Sequence, residues 1–475
     1  MKSLRNESFK GAKWGAVEKL SVQGARFLLG ILMARMLTPS DYGVISLITV
    51  FIVISETFTD SGFSLALVRR KTNSKEDYST VFYFNIVISI VCYGLLYIAS
   101  PYIADFFKSP IIKTVLRIQS VTVIINSIMS VYVAKMTIEL DFKAIAMRSL
   151  LASILSGIIG VTLAYLGFGV WALVYQNIAS SVISLIFILF YCRWLPDLTF
   201  SKQSFHSLFG FGRNILIVNI INRIYSNMTS VVIGKFFNAK ELGYYDRGVS
   251  LATFPVDNVN GILGKITLPI LAKVQDDEAR LINAYRKYIS LTSFVIFFGC
   301  CLLASQANSV ITLLFTEKWS QSIVFLQIYS FAIMFDHIST INLTLLQVKG
   351  RSDLFLKLEL YKKTISMIIL FSSIPFGAIG ICISKVIYTQ IALIFNTYYT
   401  GKIFGIGYLE QIKDFSPYLL YAFIACMPSY LISYLPLSDI MQIVLGILTA
   451  VPIYYVFMRR NPALFELKSL ILRKG

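Results

Sequence analysis

The stretch STVFYFNIVISIVCYGLLYIASPYIA, residues 79–104, runs for twenty-six positions without a charged side chain. A transmembrane α-helix needs about 20 predominantly apolar residues, so this stretch is long enough to cross a bilayer. Its apolar residues are continuous, whereas the strands of a membrane β-barrel alternate apolar and polar residues in segments of about ten. The sequence therefore predicts a transmembrane helix at this position.

Comparable apolar runs recur along all 475 residues, and no long hydrophilic stretch separates them. Hydrophobic residues make up 56% of the chain and charged residues 14%, against about 25% charged residues in soluble domains. The runs predict an all-α polytopic membrane protein of about fourteen transmembrane helices with short connections. The predicted spans begin near Gly11, Tyr42, Ser79, Ile112, Ala144, Phe168, Ser204, Leu242, Lys287, Gln321, Leu354, Gly377, Phe415 and Leu437.

The positive charge of the chain is concentrated on one side of the predicted membrane. The sequence has 43 Lys and Arg against 25 Asp and Glu, a net charge of +18. Starting from a cytoplasmic N-terminus, alternate connections hold 29 of the Lys and Arg, and the opposite connections hold 6. This asymmetry follows the positive-inside rule, so both termini should be cytoplasmic. The basic charge therefore indicates topology, and we expect no nucleic-acid partner.

A sequence motif near residue 35 returns 200 residues later. Residues 34–43 read ARMLTPSDYG and residues 234–243 read GKFFNAKELG, with basic, acidic and glycine positions coinciding without a gap. Six predicted spans separate the copies, so the two halves should share one orientation, as six-helix lobes of a parallel repeat. Chance similarity between apolar segments is the alternative. The predicted domains are an N-lobe over 1–203, a C-lobe over 204–402, and two further helices with a cytoplasmic tail over 403–475.

Polar and cationic residues follow one face of the first helix of each predicted lobe. Lys19, Gln23 and Arg26 are spaced i, i+4, i+7 in the first span, which places them on one helical face. Charges that face lipid are costly, so this face should line a hydrated central cavity. Helix packing and snorkelling at the helix ends would also explain such residues. The candidate substrate-binding residues are Lys19, Gln23, Arg26, Arg213, Asn219 and Arg223.

Three intramembrane acids are candidates for charge pairing or for coupling to an ion gradient. Glu56 and Asp60 are four residues apart in the second span and share a face, with Asp60 at about the depth of Lys19. Asp257 in the eighth span lies at about the depth of Arg223. Structural pairing would let these charges tolerate the membrane, and carriage of H⁺ or Na⁺ is the functional alternative.

The sequence contains no motif for catalysis or for a bound cofactor. Walker A, GxSxG and HExxH motifs are absent, and the six cysteines lack the spacing of metal ligands. We therefore expect neither an enzyme nor a resident metal or cofactor.

The run FLLGILMARMLTPSDYG, residues 27–43, resembles the opening of bacterial polysaccharide exporters of the Wzx/WzxC type. These exporters share a superfamily with MATE antiporters and the lipid II flippase MurJ. Further similar stretches are ALVRRK at 66–71, GFGVWALV at 167–174 and LAKVQDD at 271–277. One departure is that the MurJ-like arginines of the first helix would fall at Gln23 and Leu29.

The resemblance implies a flippase of the bacterial inner membrane that works by alternating access. Its substrate would be an undecaprenyl-pyrophosphate-linked oligosaccharide, such as an O-antigen, capsule or exopolysaccharide repeat unit. Coupling would come from an H⁺ or Na⁺ gradient or the membrane potential, and polysaccharide polymerase machinery would be a partner. The main alternative is a MATE-like antiporter of small molecules, which would favour an acidic or aromatic cavity. Two further alternatives fit the sequence less well. A membrane polymerase needs a large periplasmic loop, and a structural scaffold would not need intramembrane charges.

Overall fold

The computed structural model of the protein describes residues 21–70, 72–459 and 461. These residues form helices and connecting turns, without a β-strand among them. The first helix, α1, is described over 21–36. The helices that follow are α2 (Pro39–Asp60), α3 (Phe63–Arg69), α4 (Lys75–Phe106), α5 (Ile111–Gln119), α6 (Val121–Ile138), α7 (Phe142–Tyr165), α8 (Val170–Tyr191), α9 (Lys202–Phe236), α10 (Ala239–Lys273), α11 (Glu278–Ser305), α12 (Ala307–Phe315), α13 (Ser322–Ile333), α14 (Asp336–Val348), α15 (Ser352–Ser372), α16 (Gly377–Phe404), α17 (Tyr408–Ile432) and α18 (Asp439–Met458).

Within the described ranges, eleven helical segments are long and apolar enough to cross a membrane. Two of these segments are interrupted: α5 and α6 share one span, and α13 and α14 share another. The other predicted spans correspond to α1, whose predicted start at Gly11 lies outside the described residues, and to the more highly charged α10 and α15. The prediction of an all-α polytopic membrane protein is confirmed.

Both copies of the repeated motif begin a helix with the same kind of cap. At the start of α2, the Asp41 amide donates to Thr38 Oγ1 at 3.3 Å, and the Thr38 amide donates to Asp41 Oδ2 at 2.9 Å. At the start of α10, the Glu241 amide donates to Asn238 Oδ1 at 2.8 Å. Each cap satisfies an amide that has no partner inside its helix, and the acidic residue also suits the helix dipole.

The described chain forms two compact units, the first ending at Gly243 and the second beginning at Tyr244. In the first unit α2 packs along α9, and α4 packs against α6. Its predicted cytoplasmic end is filled by aromatic side chains: the Trp194 ring lies 5.1 Å from that of Tyr132 and 6.1 Å from that of Phe82. The segment before α9 is tied to α4, because the Asp197 amide donates to Ser79 Oγ at 2.9 Å.

Also in the first unit, the repeated glycines form a reciprocal contact between the first turns of α2 and α10. A Cβ atom at Gly43 would overlap the carbonyl oxygen of Ala239, and one at Gly243 would overlap that of Pro39. The two helix ends therefore approach backbone to backbone, which only a residue without a side chain permits. The repeat requires glycine at both positions for this reason.

The second unit is held by an apolar core and a buried polar network that joins α11, α14, α16 and α17. Tyr285 Oη donates to Asn342 Oδ1 at 2.8 Å, and Thr400 Oγ1 donates to the same oxygen at 2.7 Å. The Asn342 amide donates to Gln411 Oε1 at 2.9 Å. Since all four side chains are buried, each bond replaces one that water would otherwise make.

Candidate substrate-binding site

The first unit contains a pocket of about 550 Å³ between α2, α3 and α6. Two of the predicted acids, Glu56 and Asp60, lie in its wall. Leu65, Val68 and Val133 are among its apolar lining residues. The polar lining residues are Glu56, Thr59, Asp60, Ser64, Asn126, Ser127, Ser130 and Thr137.

Glu56 occupies a half-buried position on α2, where side chains from two other helices compensate its charge. Asn126 Nδ2 on α6 donates to Glu56 Oε1 at 2.6 Å. Arg223 on α9 lies close enough to attract the carboxylate electrostatically. A charge-assisted hydrogen bond and a nearby cation together offset the cost of removing a carboxylate from water. The sequence did not predict either partner for Glu56.

Asp60 lies one helical turn nearer the end of α2, and the start of α3 binds it. The Ser64 amide donates to Asp60 Oδ1 at 3.3 Å, and the Ser64 hydroxyl donates to the same oxygen. Lys19, which the sequence placed at the depth of Asp60, lies outside the described residues.

The hydroxyl groups in the pocket wall donate to carbonyl groups of their own helices. Thr59 donates to Ser55 O at 3.0 Å, and Thr137 donates to Val133 O at 2.8 Å. Ser130 donates to Ser127 O at 2.8 Å. Such back-bonding uses the single hydroxyl proton, so these oxygens can act only as acceptors, as Ser130 Oγ does toward Asn85 Nδ2 at 3.0 Å.

The predicted polar face of α9 is exposed over its middle turns. Asn219, Arg223 and Ser226, spaced i, i+4, i+7, are all exposed, and Arg213 is exposed two turns earlier. Lipid cannot solvate such a face, so a hydrated surface is the physically reasonable environment for it. On α1, Arg26 is exposed, and Gln23 is partly buried with its Oε1 atom accepting no hydrogen bond from the described residues.

Asp257, the third predicted acid, belongs to the second unit. It is exposed on α10 and lies close enough to Asp336 for the two carboxylates to repel each other. Asp336 begins α14, directly after the break that interrupts the α13–α14 span, and it is also attracted by Lys385 on α16. The structure thus places Arg223 close enough to Glu56 to attract it in the first unit, and Asp257 close enough to Asp336 to repel it in the second.

Comparison of the chain with known proteins identifies its family. The family model described as "Polysaccharide biosynthesis protein" matches residues 32–324, more than half of the chain. The chain belongs to this family. The match includes the described parts of α2 and α9, which supply Glu56 and Arg223 to the site.

Curated relatives of this polysaccharide biosynthesis protein cover most of its length. The lipopolysaccharide biosynthesis protein WzxC of Escherichia coli is 25% identical, over 91% of this chain and 88% of the relative. The teichuronic acid biosynthesis protein TuaB of Bacillus subtilis is 24% identical, over 74% of each chain. The succinoglycan biosynthesis transport protein ExoT of Rhizobium meliloti is 25% identical, over 65% of this chain and 62% of the relative.

Solved structures show the fold of this family member. A structure of the lipid II flippase MurJ in an inward closed conformation superimposes with a TM-score of 0.73 at 15% identity, covering 94% of this chain and 99% of MurJ. An inward-facing multidrug resistance MATE family transporter superimposes with a TM-score of 0.60 at 15% identity, covering 79% of this chain and 95% of the transporter. The fold is therefore that of the MurJ and MATE transporters.

Proposed function

We propose that this protein translocates a polyprenyl-pyrophosphate-linked oligosaccharide from the inner to the outer leaflet of a bacterial inner membrane. The names of the relatives link three of them to the biosynthesis or transport of cell-surface polysaccharides. Such glycans are assembled on a lipid carrier, whose polar headgroup cannot cross a bilayer unaided. The proposed activity is transport, with no chemical step.

The exposed arginine on α9, close enough to Glu56 to attract its carboxylate electrostatically, is the observation that carries this proposal. A pyrophosphate loses its hydration on entering a membrane site, and that loss must be offset by cations and hydrogen-bond donors. Guanidinium groups suit this role, because their forked donors match phosphate oxygens. We assign Arg223 to the pyrophosphate, together with Arg26 and Arg213, and place Lys19, Gln23 and Asn219 as polar groups along the same route.

The proposed mechanism is alternating access. Two lobes, residues 1–203 and 204–402, would rock about the bound headgroup, with residues 403–475 adding two helices and a cytoplasmic tail. Energy from an H⁺ or Na⁺ gradient or from the membrane potential would act through Glu56, Asp60 or Asp257. Both termini would be cytoplasmic, and polysaccharide polymerase machinery would take the flipped repeat unit on the other side.

The test is complementation of a bacterial strain that lacks its polysaccharide flippase. The double variant Arg26→Ala/Arg223→Ala should abolish surface polysaccharide and cause the lipid-linked repeat unit to accumulate, at unchanged membrane levels of the protein. Lys113→Ala, which removes an exposed cation on α5, is the matched control and should support normal export. Full export by the double variant would refute the assignment of these arginines.

A MATE-like antiporter of small molecules is a second candidate, favoured by the two carboxylates in the pocket wall. Carboxylates suit an organic cation better than a pyrophosphate, because like charges repel. This alternative predicts efflux of a cationic dye such as ethidium from cells expressing the protein. Efflux should then be lost in Glu56→Gln and survive Arg26→Ala/Arg223→Ala, the double variant that is expected to abolish export by a flippase.

A further inference from the structure

The wall of the pocket between α2, α3 and α6 has many hydrogen-bond acceptors. Most of its hydrogen-bond donors are already used by other groups of the protein. The hydroxyl groups of Thr59, Ser130 and Thr137 donate hydrogen bonds to carbonyl groups within their own helices. Ser130 Oγ also accepts from Asn85 Nδ2 at 3.0 Å, and because each hydroxyl oxygen has two lone pairs, capacity to accept remains. A ligand in this pocket therefore contacts oxygen atoms to which it can donate hydrogen bonds.

The stronger donors of the wall are also used internally. Asn126 gives an amide proton to Glu56 at 2.6 Å, and Ser64 gives both its amide and its hydroxyl proton to Asp60. Each carboxylate has two oxygens with several lone pairs, so capacity to accept remains after these bonds form. The electrostatic character of the wall is set by two acids, and the attracting cation of Arg223 lies on α9, which is not part of the lining.

The shape of the pocket fits an extended polar ligand with apolar faces. Asn126 and Thr137 are the first and last polar lining residues along α6, and their separation of eleven positions corresponds to about 16 Å of helix. Val123, Met129 and Val133 supply apolar surface on the same helix. Sugar rings combine these properties, since their hydroxyl groups are donors and their C–H faces are apolar.

We propose that this pocket is a glycan subsite that selects neutral or amino sugars and excludes acidic ones. The inference rests on the proposed function, with the pyrophosphate bound at Arg223 and the adjoining sugars lying between α2, α3 and α6. Hydroxyl, amino and amide N–H groups of the sugars donate to Glu56, Asp60 and the wall hydroxyls. A carboxylate on a sugar in this position meets two like charges, and the second amide proton of Asn126 offers it little compensation.

The test uses purified full-length protein in proteoliposomes and three synthetic lipids. The lipids carry the same polyprenyl pyrophosphate and differ in one sugar: glucose, glucosamine or glucuronic acid. Transbilayer movement is measured as the rate at which the headgroup becomes sensitive to an impermeant enzyme that cleaves the sugar pyrophosphate. The wild type should move the glucose and glucosamine lipids at least about tenfold faster than the glucuronic acid lipid, as repulsion by two nearby carboxylates predicts.

Two variants change the wall while preserving its shape. Glu56→Gln/Asp60→Asn should raise the glucuronic acid rate until the three lipids differ by less than about threefold, because the repulsion is removed. Its control is Asp105→Asn, an exposed acid on α4 outside the pocket. Thr137→Val removes one acceptor and should slow the glucose lipid about five- to tenfold, as loss of one hydrogen bond predicts. Its control, Thr162→Val, removes a back-bonded hydroxyl from α7.

The outcomes separate this inference from the function on which it rests. If the wild type moves all three lipids equally and the variants do not alter their ratios, the subsite is refuted while the flippase stands. If the double acid variant stops all three lipids and flattens the pH dependence of transport, the acids are coupling groups and the subsite is likewise refuted. If the wild type moves none of the lipids, the proposed function is refuted and the subsite with it.

Discussion

Replacing Gly43 by alanine tests whether the two copies of the repeated motif really meet backbone to backbone. The added Cβ would overlap the carbonyl oxygen of Ala239, which belongs to the first turn of α10. That oxygen cannot rotate aside as the tip of a flexible side chain could. The first turns of α2 and α10 must therefore separate, and we expect Gly43→Ala to destabilise the protein.

The size of the effect follows from two opposing contributions. Forcing a methyl group into a well-packed contact costs about 1–3 kcal/mol, and a rigid backbone partner places this case at the upper end. Alanine is favoured over glycine inside a helix by about 0.5–1 kcal/mol, which acts in the other direction. The expected net loss is about 2 kcal/mol. Gly94→Ala on α4 is the matched control, because nothing lies within 4 Å of its added Cβ, and it should be neutral or stabilising.

Thermal unfolding in detergent can be followed with a thiol-specific fluorescent dye, because four cysteines are buried in the folded protein: Cys300, Cys301, Cys382 and Cys426. Gly43→Ala should lower the apparent midpoint by a few degrees, and Gly94→Ala should not. Gly243→Ala should behave like Gly43→Ala, since its Cβ would overlap the Pro39 carbonyl. The double variant should cost less than the sum, because one separation of the helix ends relieves both overlaps. Equal midpoints for Gly43→Ala and Gly94→Ala would refute the reciprocal contact.

Three further substitutions probe other parts of the molecule by the same unfolding assay. Asn342→Leu should cost more than about 2 kcal/mol, because it leaves the buried Tyr285 hydroxyl without its acceptor and Gln411 Oε1 without its donor; an effect below about 0.5 kcal/mol would contradict this. Asn396→Leu should be neutral or stabilising, because this fully buried amide makes no hydrogen bond within the described residues; a large loss of stability would reveal a missing partner. Trp194→Ala should cost about 2 kcal/mol, since the half-buried ring packs on Tyr132 and Phe82; an unchanged midpoint would show that this packing is dispensable.

Eleven of the about fourteen predicted spans correspond to apolar helices of sufficient length in the described residues, because long apolar runs are a one-dimensional signal. Interruptions within a span could not be predicted in this way. Residues 111–138 and 322–348 each read as one span, yet each is divided into two helices in the structure. Near Ser120 the chain contains neither proline nor glycine to mark the break. Such breaks depend on packing against neighbouring helices, which a sequence pattern does not record.

In the candidate site, too, the sequence predicted which residues share a helix face but not which residues of other helices they contact. Spacing placed Glu56 and Asp60 on one helix face, and both line the pocket. The bond from Asn126 to Glu56 joins residues 70 positions apart, and no pattern in α6 distinguishes this asparagine from other polar residues. Lys362 lies buried in α15, 2.5 Å from Glu359, although a lysine is expected at the surface from sequence alone. Glu359, three residues earlier, neutralises the Lys362 charge and allows it to be buried. Hydropathy alone scores each residue separately and therefore predicts that this lysine is exposed.

The contact between Gly43 and Gly243 also bears on how such a chain could have arisen. Each glycine receives the carbonyl of the residue that opens the other helix, so the two sides of the contact are equivalent. Equivalent sides define an isologous interface, the kind through which identical subunits form twofold dimers. A half-length protein with one copy of the motif could close this contact with a second molecule of itself. Gene duplication and fusion would then convert an intermolecular dimer contact into an internal one, and both glycines would remain under the same steric constraint.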